Sequence, residues 1–339
     1  MEADNGNMDI LCTFVMAAYN SAKYIRPAIE SVLKQTEKKW ELIVVDDGSC
    51  DETAGIVGEY AAADSRVILI KNEHIGNAGE VRNIAIDRAK GRYIQSVDSD
   101  DFIKEDYLEK CMETIMRKKC DIVIPVCLKL EDDGTIITQW YPIDHDYERV
   151  LSNIEGFYYS LDWKIHGVFF VKSRLIKEIR YDSGMLNSDE FTCRKLLYNS
   201  TSIAFSDTIY YYRNNISSTT LSIANKAKMF GCILTCRRIY DYSVDNKMPS
   251  YCMKKSAKIL VRSLWRYQRN YIANTRCFDQ AERNSIEHIL KEIYDGINLK
   301  IIWQSQSTRG LFILFSFGSY ELYRKYAGIR NNHLGENEI

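Results

Sequence analysis

The 339-residue sequence lacks a long apolar run and an excess of either charge. No stretch of about 18 apolar residues occurs, which excludes an ordinary transmembrane helix. Residues 1–9 are polar and acidic, so we expect no secretory signal and a cytoplasmic protein. Lys and Arg (45) nearly balance Asp and Glu (46), so we expect no nucleic-acid partner drawn by an overall positive field.

Closely paired cysteines are also missing, although the chain contains ten cysteines. None of them has the Cys-x-x-Cys spacing of a structural zinc site, and the nearest pair, Cys232 and Cys236, has no neighbouring His. Several cysteines lie inside apolar segments, which is typical of buried thiols in a reducing cytosol. The sequence therefore predicts neither a disulfide framework nor a structural zinc ion.

Short apolar runs alternate with segments of helical period from residue 10 to about residue 127. This alternation predicts an α/β fold with a mainly parallel central sheet. The expected strands are Leu11–Met16, Trp40–Val45, Arg66–Ile70, Arg92–Val97 and Cys120–Val126. The expected helices between them are 21–35, about 52–63, 77–89 and 105–117. We expect the third of these to end near Gly91, with Gly91 as its C-cap.

The periodicity is looser in the second half of the chain. The Asp-Gly signal at 131–134 predicts a hairpin turn. Further on we expect a strand at Val168–Val171, a helix that starts at 187–190 and an aromatic strand at Ile209–Tyr212. From about Lys226 the pattern is helical, which predicts a helical C-terminal region at 226–339.

Three carboxylates, Asp98, Asp100 and Asp101, directly follow the fourth expected strand. Ligands of open α/β sheets bind outside the carboxyl ends of the strands, where the loops converge. Carboxylates this close raise one another's pKa unless a cation neutralises them, and their oxygens suit Mg²⁺ or Mn²⁺. Two alternatives stay open on this cluster alone: a solvated acidic turn that caps the next helix, and the Asp site of a response regulator or phosphatase.

Three other segments accompany the acidic cluster, and together the four resemble family 2 glycosyltransferases in order and spacing. The three are Ala17-Ala18-Tyr19-Asn20, Val44-Val45-Asp46-Asp47-Gly48-Ser49, and Val81-Arg82-Asn83 with Gly91-Arg92-Tyr93-Ile94. The resemblance is good over about residues 10–130 and partial to about residue 220. It implies the GT-A fold, an α/β/α sandwich over residues 1–225, with a nucleotide-sugar donor half at 10–130 and an acceptor half at 131–225.

The resemblance implies a donor-binding role for seven residues: Ala17, Tyr19, Asp47, Arg82, Asp98, Asp100 and Arg213. Tyr19 and Asp47 would lie against the nucleotide base, although a half-buried loop aromatic and a turn-forming Asp are the simpler interpretations. Asp98 and Asp100 would hold the ribose and a Mn²⁺ or Mg²⁺ ion on the diphosphate. Arg213 lies in an aromatic strand, and such strands are more often core.

Inverting sugar transfer also needs a carboxylate base beside the acceptor hydroxyl. The resemblance places this base at Asp189 or Glu190, ahead of Arg194-Lys195-Leu196-Leu197. The order of the two acids departs from the Glu-Asp of the family, so the sequence does not choose between them, and a plain acidic helix start is the alternative. His166 is expected either to contact the acceptor or to be a hydrogen-bonded structural histidine.

These residues together predict an inverting glycosyltransferase. The expected donor is a nucleoside-diphosphate sugar, with UDP as the nucleotide, and the expected acceptor is a hydroxyl of a glycan or lipid-linked oligosaccharide in cell-surface polysaccharide synthesis. A non-catalytic glycan-binding or scaffold protein on the same fold is the alternative. A nucleotidyltransferase would carry a Gly-rich basic loop after the first strand, where this chain has Tyr19-Asn20-Ser21-Ala22.

An apolar segment near the end of the chain, 311–317, is flanked by Arg309, Arg324 and Lys325. It predicts either peripheral contact with the cytoplasmic face of the inner membrane or a helix docked on the catalytic domain.

Overall fold

The computed structural model describes residues 10–182, 188–215, 229–316 and 318–329. The chain divides into two units, residues 1–215 and residues 216–339. The domain boundary expected between residues 225 and 226 lies outside the described residues.

The first unit is built on a ten-stranded sheet. Its strands are β1 (Cys12–Ala18), β2 (Trp40–Asp46), β3 (Val67–Lys71), β4 (Tyr93–Ser96), β5 (Phe102–Ile103), β6 (Ile122–Leu130), β7 (Ile136–Trp140), β8 (Val150–Leu151), β9 (Phe170–Lys172) and β10 (Ile203–Arg213). They lie in the order β3-β2-β1-β4-β9-β6-β10-β5, with β7 beside β6 and β8 beside β10. The first four strands are parallel, whereas β9 is antiparallel to both β4 and β6. The predicted α/β class with a mainly parallel sheet is confirmed.

Helices cover both faces of this sheet. They are α1 (Ile25–Leu33), α2 (Thr53–Ala63), α3 (Ala78–Arg88), α4 (Tyr107–Lys118), α5 (Asn153–Ser160), α6 (Ser173–Ile179) and α7 (Ser188–Asn199). Successive residues of a strand point to opposite faces. Phe14 and Met16 of β1 therefore belong to the apolar core that includes α1, α2 and α4, whereas Val15 belongs to the core that includes α3, α6 and α7. The α/β/α sandwich follows from this alternation.

Two helix ends differ from the sequence prediction. Helix α1 begins at Ile25 rather than at Ser21, because the backbone N–H of Ser21 donates to the Thr53 hydroxyl at 2.8 Å and holds the chain in a loop. Gly91 is not a C-cap, since α3 ends at Arg88 and its C-cap residue is Ala89, in extended conformation. Gly91 instead packs on β1, where an added Cβ would lie 2.3 Å from the backbone nitrogen of Thr13.

The acidic residues after β4 do not cap the following helix. The chain first forms β5, and α4 starts at Tyr107 with Asp106 as its N-cap residue. The capping alternative for the cluster at 98–101 is therefore wrong.

The second unit is helical where the structure describes it. Its helices are α8 (Cys232–Asp245), α9 (Ser250–Asn274), α10 (Gln280–Asp295), α11 (Leu299–Ser305), α12 (Thr308–Phe315) and α13 (Tyr320–Ile329). They enclose a core of their own, with Leu260, Leu264 and Tyr323 among its fully buried side chains. None of the helices in the described ranges is both long and apolar enough to span a bilayer.

Candidate active site

Three loops meet at the carboxyl ends of β1, β2 and β4. Strand β1 lies between the other two, and its Ala18 is level with Asp46 of β2 while its Val15 is level with Ser96 of β4. A hydrogen bond of 2.7 Å between the hydroxyls of Ser21 and Ser99 joins the first loop to the third. Parallel register therefore brings together residues that are about 80 positions apart in the sequence.

The side of the site nearest β2 is formed by Tyr19, Asp47 and His74. The carboxylate of Asp47 is buried and accepts hydrogen bonds from the backbone N–H groups of Ile75 at 2.8 Å and Gly76 at 2.9 Å. The His74 ring stacks on Tyr19 with a centroid distance of 4.1 Å, and 45% of Tyr19 is exposed. The structure thus presents an open aromatic face beside a fixed carboxylate, which suits a planar base.

Residues 98–101, here called the acid loop, are held from behind by β10. The Tyr210 hydroxyl donates to Asp101 at 2.7 Å and accepts from the backbone N–H of Asp98 at 3.2 Å. The Arg213 backbone N–H donates to the other oxygen of Asp101 at 2.8 Å. Asp101 is almost fully buried, and this burial together with its acidic neighbours raises its pKa. Asp101 therefore anchors the loop, and Asp98 and Asp100 are the acids left to face a ligand.

The side chain of Arg213 braces the same loop. Its Nε donates to the backbone oxygen of Asp100 at 3.0 Å, and its guanidinium lies between the rings of Tyr24 and Phe102 at 5.2 and 5.5 Å. The expected contact of Arg213 with the donor stays a prediction.

Arg82 of α3 pairs with the acid loop from the opposite side. Its Nη2 donates to Asp98 at 2.5 Å, and its guanidinium lies 5.5 Å from the ring centroid of Tyr181. Burial opposes the charge of Arg82, but Asp98, Tyr181 and Asp189 outweigh this effect and raise its pKa. Arg82 is therefore a permanent cation beside the acid loop.

The two candidate bases at the start of α7 have different surroundings. Glu190 is mostly buried and lies 3.4 Å from the guanidinium of Arg194, one helical turn away. Burial raises the pKa of Glu190, and Arg194 partly offsets that effect. Asp189 is exposed, and its charge contributes to the raised pKa values of Arg82 and Tyr212. Asp189 is thus the more exposed acid of the pair.

His166 and Ala17 lie away from open surface. The Nε2–H of His166 donates to the Pro125 carbonyl at 2.8 Å, and its Nδ1 accepts from the backbone N–H of Val168 at 3.2 Å. With both ring nitrogens bonded and the ring buried, the geometry favours the structural interpretation of His166. Ala17 is partly buried in β1, level with Val45 of β2.

Sequence reasoning missed His74, Tyr181 and Tyr210. His74 lies in the loop after β3, which leaves the same edge of the sheet as the loops after β1 and β2, so its position was a usable signal. Tyr181 joins α3 through a pair of hydrogen bonds with Asn83, at 2.9 and 3.0 Å. A contact across 98 residues has no signal in a single sequence.

The donor set of the acid loop fits a hard divalent cation. Mg²⁺ is usually bound by one or two carboxylates together with substrate phosphates and water. Asp98 is half-exposed. The burial of Asp100, together with the negative charge of Asp98, raises the pKa of Asp100. A cation bound between the two carboxylates would relieve this repulsion. In the described ranges no group of three or more His, Cys, Asp or Glu side chains is arranged so that it could hold a metal ion by itself. A metal ion here would need ligands from the substrate phosphates and from water as well.

Comparison with known proteins identifies the family. The model of "Glycosyl transferase family 2" matches residues 13–171. Glycosyltransferase GlyG of Streptococcus pneumoniae serotype 4 is 31% identical over 227 residues, which cover 62% of this chain and 73% of GlyG. The Escherichia coli UDP-Glc:alpha-D-GlcNAc-diphosphoundecaprenol beta-1,3-glucosyltransferase WfgD is 40% identical over 109 residues, 32% of this chain and 42% of WfgD.

A solved structure has the same fold. S. aureus TarS 1-349 in complex with UDP-GlcNAc superposes with a TM-score of 0.68 at 18% identity, over 97% of this chain and 94% of that one. The expectations of a GT-A fold with a helical C-terminal region, and of an enzyme rather than a non-catalytic scaffold, are confirmed. The chain belongs to glycosyl transferase family 2 and is a glycosyltransferase.

Proposed function

We propose that this enzyme transfers a sugar with inversion from a UDP-sugar to a hydroxyl of a glycan or lipid-linked acceptor, in the cytoplasm, for cell-surface polysaccharide. The observation that carries the proposal is the meeting of an aromatic face, a fixed carboxylate and two further acids at adjacent strand ends. UDP-GlcNAc is the ligand of the TarS complex, and the name of WfgD specifies a UDP-sugar donor and a diphosphoundecaprenol acceptor. Both support this choice of donor and acceptor class.

Tyr19 and Asp47 receive the base in this proposal. The exposed ring of Tyr19 is backed by His74, so a base that stacks on it meets a surface that is already ordered. The Asp47 carboxylate is fixed by two backbone N–H groups and retains lone pairs for an N–H of the base. Asp47 would therefore select a base that presents an N–H donor, as uracil does.

Asp98 and Asp100 receive the ribose and diphosphate end of the donor. A Mg²⁺ or Mn²⁺ ion held there would neutralise the charge that develops on the departing diphosphate. Arg82 keeps Asp98 oriented through its 2.5 Å contact, and Asn215 does the same for Asp100 at 3.0 Å. The chain thus fixes both carboxylates before the donor arrives, which lowers the cost of binding.

Asp189 is the general base in this proposal, and Glu190 positions the helix that carries it. A base must reach the acceptor hydroxyl, which requires an exposed carboxylate on the acceptor side. Asp189 meets this condition, whereas Glu190 is paired with Arg194. Asp189 would take the proton of the attacking hydroxyl while the sugar leaves the diphosphate on the opposite face.

The first experiment measures sugar release from UDP-sugars and GDP-sugars with Mn²⁺, with Mg²⁺ and with EDTA. We expect turnover of a UDP-sugar that stops with EDTA and returns with Mn²⁺. Asp100→Asn should lose at least about 100-fold in kcat, the range set by loss of one electrostatic contact to a leaving group. Asp207→Asn, at an exposed acid of β10, is the matched control and should retain wild-type turnover. Equal rates for Asp100→Asn and wild type would refute the donor site.

The second experiment separates the two acids of α7. Asp189→Asn should lower kcat for transfer by about 10²–10⁴-fold while the Kd for UDP stays the same. Glu190→Gln should lower the melting temperature, because it removes the partner of buried Arg194, and should affect kcat far less. The assignment is wrong if Glu190→Gln loses transfer at an unchanged melting temperature while Asp189→Asn stays active.

A further inference from the structure

Helices α11 and α12 of the second unit expose large apolar side chains. Leu299 and Trp303, one turn apart on α11, are 72% and 73% exposed. Leu311, Leu314 and Phe315 of α12 are also exposed, and their spacing of three and four residues places them on one face. Both helices are nevertheless docked through their other face, since Ile301 and Ile313 are buried in the core of this unit. The exposed apolar residues are therefore displayed on a packed support.

Helices α11 and α12 are in direct contact. Gly310 of α12 packs directly on α11, where an added Cβ would lie 3.1 Å from the Ile302 side chain. Trp303 is the next residue after Ile302, and Leu311 is the next residue after Gly310. We call Leu299, Trp303, Leu311, Leu314 and Phe315, together with the Lys and Arg residues of the neighbouring helix α9, the amphipathic face.

Cations border these apolar residues on neighbouring α9. This helix contains six Lys and Arg residues and no Asp or Glu: Lys254, Lys255, Lys258, Arg262, Arg266 and Arg269. At 3.6 residues per turn all six fall within an arc of about 120°. Lys254 lies at the edge of that arc, and its Nζ is 5.8 Å from the ring centroid of Trp303. The basic stripe thus meets the exposed apolar residues at Lys254 and Trp303.

The segment that forms α11 and α12 is itself free of acidic residues. No Asp or Glu occurs from Gly296 to Tyr320, whereas Lys300 and Arg309 do. Pairing of this face with a second copy across a two-fold axis would bring two basic stripes together, which like-charge repulsion opposes. An acidic polymer would bind to the cations alone, and its binding would not explain why Trp, Leu and Phe side chains are exposed beside them. A surface that is both anionic and apolar satisfies both features.

We propose that the amphipathic face binds the interface of a lipid bilayer that contains anionic lipids. Trp prefers the boundary between headgroups and acyl chains, and Leu and Phe enter the acyl edge. The stripe on α9 would lie over the phosphates, with its long side chains reaching outward from the protein. The helix expected at 311–317 packs on the core of the second unit through Ile313 and still exposes Leu311, Leu314 and Phe315; Phe317 lies outside the described residues.

The test is flotation of the full chain, without any donor, with vesicles of phosphatidylcholine alone or with added phosphatidylglycerol. We expect binding to the mixed vesicles and little binding to phosphatidylcholine alone. The double variant Arg262→Glu and Arg266→Glu should bind at least about 10-fold more weakly, because each basic side chain near an anionic surface contributes about a five-fold factor. Trp303→Ala should also bind about 10-fold more weakly, since it removes buried apolar area at the acyl edge.

Matched controls separate these effects from general damage. Met116→Ala removes an apolar side chain that is 67% exposed in the first unit, and Lys39→Glu reverses an exposed cation there. Both controls should bind vesicles as wild type does, and all variants should keep the wild-type melting temperature and donor hydrolysis. Because binding is measured without donor, its outcome is independent of the proposed reaction.

Three results would overturn the proposal. One is equal binding to vesicles with and without phosphatidylglycerol. Another is weak binding of the double charge variant while Trp303→Ala binds as wild type does, which would mean attraction to any polyanion. The third is a concentration-dependent dimer that Trp303→Ala converts to a monomer, which would mean that a second copy covers this face.

Discussion

The pH dependence of folding stability tests whether His166 is structural. Its ring is buried between the Pro125 carbonyl and the Val168 backbone N–H, which bond its two nitrogens. Burial lowers the pKa of His166 from 6.5 to about 4, because the charged imidazolium is poorly solvated there. The folded protein therefore holds His166 neutral at pH values where the unfolded chain binds a proton on it.

The sign and size of the effect follow from this difference. The stabilisation from His166 is fully present above about pH 6.5 and is lost as the pH falls toward about 4, because only the unfolded state gains the proton in that window. Each pH unit within the window costs about 1.4 kcal/mol. Relative to pH 7, the free energy of unfolding should thus fall by about 2 kcal/mol at pH 5 from this residue alone.

Urea unfolding at pH 7 and pH 5 measures this loss in wild type and in His166→Gln. The glutamine keeps an N–H donor for Pro125 but does not titrate, so its loss between the two pH values should be about 2 kcal/mol smaller than that of wild type. His145→Asn, at an exposed position, should lose as much as wild type does. Identical losses in wild type and His166→Gln would refute the structural role. A raised KM for acceptor in His166→Gln, with unchanged pH dependence, would restore the acceptor-binding interpretation.

Three other variants probe the site and its support. Tyr210→Phe removes a buried hydroxyl that makes two hydrogen bonds to the acid loop, so the free energy of unfolding in urea should fall by about 2–4 kcal/mol. The control Tyr211→Phe should change it by less than about 0.5 kcal/mol. Gly91→Ala forces a Cβ into the backbone of β1 and should lower the free energy of unfolding by more than about 2 kcal/mol in the same assay. In the control Gly58→Ala the added Cβ meets no atom within 4 Å, so the free energy of unfolding should rise by about 0.5–1 kcal/mol. His74→Ala removes the ring behind the proposed base site and should weaken UDP binding about 5-fold by calorimetry.

The strands and the acidic motif were predictable because both depend on local pattern. Branched apolar runs locate β1 to β4 to within about two residues, and parallel order then places their ends at one edge of the sheet. Helix starts were less predictable, since the start of α1 depends on Thr53, which lies 32 residues from Ser21. The role assigned to Gly91 was wrong for the same reason: its small size serves a contact with Thr13, 78 residues away, and not the end of α3.

The order of Asp189 and Glu190 shows where motif spacing stops being informative. Counting along the chain treats the two acids as interchangeable, because both lie in the first turn of α7 and both are favoured there by the helix dipole. Consecutive helical residues point about 100° apart, so only one of them can share a face with Arg194, four residues after Glu190. That pairing leaves Glu190 mostly buried, whereas Asp189 is exposed. Under the proposed assignment, the base is the acid that has no basic residue one turn later, and Arg194 marks Glu190 as the other acid once the helix is known to start at Ser188.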